Sequence, residues 1–296
     1  MEEDVISFLA DLQHTRQFSE KTILAYQGDL NDYASFLSES GEPNYLNVDY
    51  QDLRIYLSYL YDKGYSRSSI SRKLSSLRSF YQFLLSQSKV EENPVTYVQI
   101  RQKNQKLPRF YYEKEMTQLF DVVYAGDRAL DYRNCALLEL MYATGIRVSE
   151  ATGIRLSDID MTTDILLVHG KGNKERYVPF GHYASEAVQH YINHARPQLM
   201  KKAEHSYLFV NAKGQPLTTN GVRYIYKELV KKTTLTSDIH PHMLRHTFAT
   251  HLLNNGADMR TVQELLGHES LSSTQIYAHV TTENLQSTYR HFHPRA

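Results

Sequence analysis

The chain has 296 residues, 33 basic and 33 acidic side chains, 41% apolar residues and one cysteine, enough for two domains at about 100 to 200 residues each. The lone cysteine excludes a disulfide scaffold, and Cys135 lacks the arginine six positions on that a cysteine phosphatase loop requires, because Met141 stands there. No stretch reads as a signal peptide or a membrane span, so the expected setting is the reduced cytosol with no membrane partner.

The zero net charge conceals a segregation. Residues 1 to 60 are acidic, with only Arg16, Lys21 and Arg54 against them, whereas residues 61 to 109 are basic, with only Asp62, Glu91 and Glu92 opposing. An acidic flank beside a basic band predicts one face for phosphates and another for protein or solvent.

In chain order, residues 1 to 90 read as four helices with no strand alternation. The first starts at Asp4 or Ser7, the second at Ser19 with Ile23, Tyr26, Leu30, Tyr33 and Leu37 at helical spacing, and the third at Asp49 or Asp52. In the fourth, Ser66 to Gln87, Ile70, Leu74, Leu77, Tyr81 and Leu84 form a core stripe. Opposite lie Arg72, Ser75, Ser76 and Ser79, a short polar face suited to a groove, where Arg67, Arg72, Lys73 and Arg78 reach phosphates or base edges. Pro94 and Pro108 bracket a polar, basic stretch containing Arg101, Lys103 and Lys106, a linker over 91–107 between a helical DNA-binding domain (1–90) and a second domain (108–296).

The second domain opens with helices at Glu113 to Tyr124 and Tyr132 to Ala143, the latter ending at Gly145. Ile165 to Val168 and Arg176 to Pro179 read as a hairpin with Lys171 on its glycine-flanked tip. Helix resumes after Gly181, is broken by Pro197, and returns at Thr219 to Lys232. Pro241 then opens a helix in which Met243, Leu244, Phe248, Leu252 and Leu253 are apolar, and His242 and Arg245, three apart, leave its first turn as neighbours. That arrangement suits an anion, with a capped core helix as the plain alternative. The expected class is mainly α with a small β-sheet.

Four windows carry related chemistry: A-T-G-I-R-V-S-E (143–150), H-G-K-G-N-K-E-R (169–176), the helix at 239–255, and L-L-G-H-E-S-L-S-S-T-Q-I-Y-A-H-V (265–280). Together they resemble the tyrosine recombinase family, most nearly its bacterial Xer branch. The resemblance implies a catalytic set of Arg147, Lys171, His242, Arg245, His268 and Tyr277 acting on a DNA phosphodiester. The arginines grip non-bridging oxygens, Lys171 protonates the leaving 5′ oxygen, His242 accepts the phenol proton, His268 donates to a non-bridging oxygen, and Tyr277 is the nucleophile. Lys174 is the near rival to Lys171, and Tyr289 is the main decoy among 23 tyrosines.

The resemblance further implies a C-shaped clamp on double-stranded DNA and a tetramer with an identical or paralogous recombinase. It implies resolution of chromosome or plasmid dimers, a DNA translocase as accessory, and no metal or other cofactor. The tail 281–296, with Leu285, Tyr289 and Phe292, is expected to dock on a neighbouring subunit, the plain alternative being its own chain. Other readings are a mobile-element integrase, a DNA-binding regulator without catalysis, and a metal hydrolase using His242, His246 and His251, for which no carboxylate completes a site.

Overall fold

A computed structural model describes residues 1–41, 44–98, 109–170, 174–235, 241–267 and 282–296. The chain divides into two compact units, Met1–Gln105 and Lys106–Ala296. In the first, helices α1 (Glu2–His14), α2 (Glu20–Ser40), α3 (Tyr50–Asp62) and α4 (Arg67–Ser86) precede a 3-10 turn at Pro94–Tyr97. Short polar side chains start three of them: Ser19 accepts from the N–H of Thr22, Asp49 from those of Gln51 and Asp52, and Ser66 from that of Ser69. Each satisfies donors that a helix start leaves unpaired. The stripe on α4 is core as expected, with Ile70, Leu74, Leu77, Tyr81 and Leu84 buried beside Phe8 and Tyr33.

The other side of α4 departs from expectation. Ser76 is fully buried, its hydroxyl donating to the Lys73 carbonyl at 2.8 Å. Lys73, expected at DNA, is 2% exposed; its ammonium pairs with Asp29 at 3.3 Å and with Asp32, and lies 4.8 Å from the centre of the Tyr65 ring. Asp29 is itself buried and takes a second pair from Arg72. A buried carboxylate needs a cation, and that need claims Lys73 for the fold.

The second unit contains α5 (Glu113–Tyr124), α6 (Ala129–Thr144) and α7 (Val148–Gly153), then strands β1 (Ile159–Asp160), β2 (Ile165–His169) and β3 (Glu175–Pro179). Helices α8 (His182–His190), α9 (Arg196–Met200), α10 (Thr219–Lys231), α11 (Pro241–Asn254), α12 (Met259–Leu266) and α13 (Thr282–Phe292) follow. From Cys135 to Thr144 every residue of α6 is buried, so this helix is the axis on which α5, α8 and α11 pack. The sheet is antiparallel in the order β1-β2-β3, with Asp160 opposite Ile165 and Leu167 opposite Tyr177. The two-residue β1 is an edge that the hairpin reading did not include.

Pro197 does not break the helix as expected. A π-helical turn, Tyr191–Ala195, joins α8 to α9, and the Arg196 N–H reaches back five residues to the Tyr191 carbonyl. Widening the turn makes room for a ring that would collide with the carbonyl four residues earlier in a regular helix.

The described part of the tail packs on its own unit. Tyr289 is 1% exposed, its hydroxyl accepting from the Gly181 N–H at 3.1 Å, and Arg295 sits on the buried carboxylate of Glu139 with Nε 3.1 Å away. The Arg295 guanidinium also covers the rings of Tyr183 (3.9 Å) and Phe120 (4.1 Å). Glu139 and Gly181 thus obtain a cation and an acceptor from the tail, which supplies groups their buried positions require.

Candidate active site

Helix α6 ends at Gly145 with φ +60, its N–H bonded to the Met141 carbonyl. A Cβ there would lie 2.5 Å from the Phe248 ring and 2.9 Å from Leu266. Only glycine meets both the left-handed backbone and the close approach of α11 and α12. This convergence builds the floor of the site.

Arg245, one turn into α11, crosses that floor. Its two terminal nitrogens donate to the carbonyls of Gly145 (2.8 Å) and Leu266 (2.7 Å), the C-terminal ends of α6 and α12, where the helix dipoles favour a cation. Burial first, and then the nearby charge of Arg147, push its pKa down to about 10, which leaves it charged at neutral pH. Two of its five N–H donors are spent in holding it, and among the described residues no other group takes the rest.

Arg147 sits two residues past Gly145, at the start of α7. Glu150 reaches back to it, accepting from its backbone N–H (2.8 Å) and from Nη1 (2.9 Å). The side chain of Arg147 stays 39% exposed while that of Glu150 is buried. A third guanidinium, Arg176 on β3, grips both oxygens of Glu150 at 3.2 and 2.9 Å and donates through Nε to the Leu265 carbonyl at 3.1 Å. Burial alone would raise the Glu150 pKa, but the bonds from Arg176 and Arg147 outweigh it and hold the carboxyl below its ordinary range. One carboxylate therefore faces three arginines, and the site is strongly electropositive.

His242 is exposed on the first turn of α11, one turn before Arg245. The structure thus brings together Arg147 and Arg245 and sets His242 on the same helix as the latter. Lys171, His268 and Tyr277 lie outside the described residues, as do Arg101, Lys103 and Lys106.

Tyr289 is buried, and burial pushes its phenol well above the ordinary value, so it offers no accessible hydroxyl. His251 donates through Nε2 to the Tyr111 carbonyl (2.9 Å) and accepts from the Tyr142 hydroxyl at Nδ1 (2.8 Å), which leaves no nitrogen for a metal. Among the described residues no group of three histidine, cysteine or acidic side chains is placed to hold an ion. In the first unit, Arg67 and Arg72 are exposed on α4, and Arg78 leans on the carbonyls of Val95 and Val98 at 3.4 and 3.5 Å.

The residue that sequence reasoning passed over is Arg176, quoted in its window but given no role. A signal existed: in the strand E-R-Y-V-P, Arg176 shares the side of Val178, and Val178 is buried. An arginine on the inward side of a strand needs a buried partner.

The model of the phage integrase family matches residues 109–284, more than half of the chain, and that of the phage integrase N-terminal SAM-like domain matches residues 5–88. The tyrosine recombinase XerC of Listeria innocua is 54% identical over 291 residues, 98% of this chain and 97% of that one. The chain belongs to the tyrosine recombinases of the phage integrase family. The recombinase is also 52% identical to XerC of Pediococcus pentosaceus over 95% of this chain and 94% of that one. Among solved structures it resembles the XerA recombinase (TM-score 0.51, 26% identity, all of both chains). It shares its fold with the XerH recombinase bound to difH DNA (TM-score 0.68, 23% identity, 90% of this chain and 77% of that one). It is an enzyme that breaks and rejoins DNA at recombination sites.

Proposed function

We propose that this recombinase cuts one strand of a double-stranded site by attack of Tyr277 on a phosphate held between Arg147 and Arg245, then rejoins it to another strand. The observation that carries this reading is the convergence of those two guanidiniums at the end of α6, each fixed from behind by the fold. They meet the non-bridging oxygens, where negative charge grows in the transition state. As the bond from the phenol oxygen to phosphorus forms, His242 takes the phenol proton. As the bond to the 5′ oxygen breaks, Lys171 protonates it, while His268 donates to a non-bridging oxygen. The 3′-phosphotyrosyl link conserves the bond energy, so a 5′-hydroxyl reverses the steps without ATP, water or metal.

On this reading residues 1–90 form the DNA-binding domain, 91–107 the basic linker and 108–296 the catalytic domain. Arg67, Arg72, Arg78, Arg101, Lys103 and Lys106 bind the DNA backbone. Relatives called XerC at 49 to 54% identity support dimer resolution at a dif-like site in the cytoplasm. The working assembly is a tetramer with an identical or paralogous recombinase, assisted by a DNA translocase.

The test uses a nicked duplex carrying the dif-like site of the protein's own chromosome. Tyr277→Phe binds it as tightly as wild type and gives no covalent adduct on a denaturing gel. An adduct from Tyr277→Phe, or none from the wild-type protein, overturns the reading.

A further inference from the structure

We propose that Arg176 is a positioning residue that keeps the charge of Arg147 available to the phosphate by occupying the carboxylate of Glu150. This inference rests on the reading that Arg147 binds the scissile phosphate.

Glu150 poses a difficulty for that reading. Its oxygens lie 2.8 and 2.9 Å from the backbone N–H and Nη1 of Arg147, close enough to orient the arginine and close enough to cancel it. A phosphate arriving at an isolated Arg147–Glu150 pair would meet a neutral ion pair with a carboxylate behind it. Arg176 changes the balance. Its Nη1 and Nη2 sit on the two Glu150 oxygens at 3.2 and 2.9 Å, a fork-on-fork pairing that engages both lone-pair edges of the carboxylate. The three side chains then carry one net positive charge, and Arg245 adds a second. Glu150 still orients Arg147 but no longer neutralises it.

Arg176 does not meet the substrate itself. Its side chain is 14% exposed and its Nε is committed to the Leu265 carbonyl at 3.1 Å. Gly267, with φ +65, leaves the room it needs: a Cβ there would stand 3.0 Å from Arg176 Cδ. The guanidinium is therefore held in place by β3, α7 and the end of α12 together, and its effect passes through Glu150.

The experiment compares wild type, Arg176→Gln, Glu150→Gln and the double variant. It measures single-turnover adduct formation on the nicked dif-like duplex at saturating protein, and affinity for that duplex. Arg176→Gln should slow adduct formation roughly tenfold to a hundredfold, a part of what loss of a preorganised cation costs, with affinity changed little. Adding Glu150→Gln removes the charge that Arg176 balances, so the double variant should recover most of that loss. A purely structural Arg176 predicts the opposite, because two disrupted contacts would add. A double variant no faster than Arg176→Gln, or an Arg176→Gln variant as fast as wild type, overturns the proposal. If thermal melting shows that Arg176→Gln does not fold, Arg176→Lys decides: it keeps the charge with one nitrogen, and must cleave at more than roughly a tenth of the wild-type rate for the proposal to stand. Arg147→Ala separates the two ideas: if it cleaves normally the phosphate reading has failed, and if it is dead while the double variant stays slow only the role of Arg176 has failed.

Discussion

Arg245 is held by two carbonyls that belong to different helices, and this makes its chemistry hard to imitate. A lysine has its donors on a single nitrogen and cannot bridge the Gly145 and Leu266 oxygens while also presenting N–H groups outward. Arg245→Lys should therefore keep DNA affinity close to wild type and lose about 10²–10³ in the rate of adduct formation, the usual cost of removing one preorganised donor. Wild-type cleavage by that variant would assign Arg245 to the fold alone. The placement of His242 and Arg245 on one helical turn was legible because they stand three residues apart behind Pro241. Glu150, three residues after Arg147 in the same short window, was visible as a partner for it. The convergence of α6, α11 and α12 on Gly145 was not, since it depends on residues about a hundred positions apart meeting at van der Waals distance.

The tail is the element on which local and tertiary information part company. Leu285, Tyr289 and Phe292 declare an amphipathic helix that needs a groove, but nothing in those residues says whose groove. Within this chain Arg295 and Tyr289 meet Glu139 and Gly181, whose need for a cation and an acceptor is created by burial and is invisible in sequence. His293 follows the helix, stacked on Tyr289 with ring centres 4.7 Å apart and buried, and burial depresses its pKa from 6.5 to about 3. Unfolded chains take up a proton below 6.5 that the folded chain refuses. The stability due to this group is thus complete above pH 6.5 and is lost as pH falls toward 3, by roughly 1.4 kcal/mol per unit. His293→Phe keeps a ring in the same space. It should match wild type within about 1 kcal/mol at pH 7.5 and exceed it by about 2 kcal/mol more at pH 5 in urea denaturation followed by circular dichroism. Parallel stability curves for the two proteins would show that His293 is not buried neutral.

Taken as a whole, the molecule was most readable where periodicity is strong: the four helices of the first unit, the buried α6 and the hairpin are all present, although α1 starts at Glu2 rather than at Asp4 or Ser7 and α6 at Ala129 rather than at Tyr132. It was least readable where charge is concerned, because a sequence displays charges without showing which are already paired. Lys73 looks like Arg67 on paper. In the fold, one is sealed against Asp29 and the other stands exposed at the start of α4. That burial has a consequence in the currency of counterions. A cation that neutralises a DNA phosphate releases condensed salt ions and adds about 0.9 to the slope of log affinity against log salt concentration. Lys73, held in its internal ion pair, should release none, so the basic band of the first unit should displace fewer ions than its lysines and arginines would suggest. Arg67→Ala should flatten the salt dependence of duplex binding by about 0.9 and leave melting unchanged. Lys73→Met should leave the slope as it is and lower the melting temperature, because it removes one of the two cations on the buried Asp29 carboxylate and leaves Arg72 as the other. Equal slopes for Arg67→Ala and wild type would take that arginine off the DNA. A flattened slope for Lys73→Met would mean that the protein gives up its internal ion pair, and the salt it screens, each time it meets a duplex.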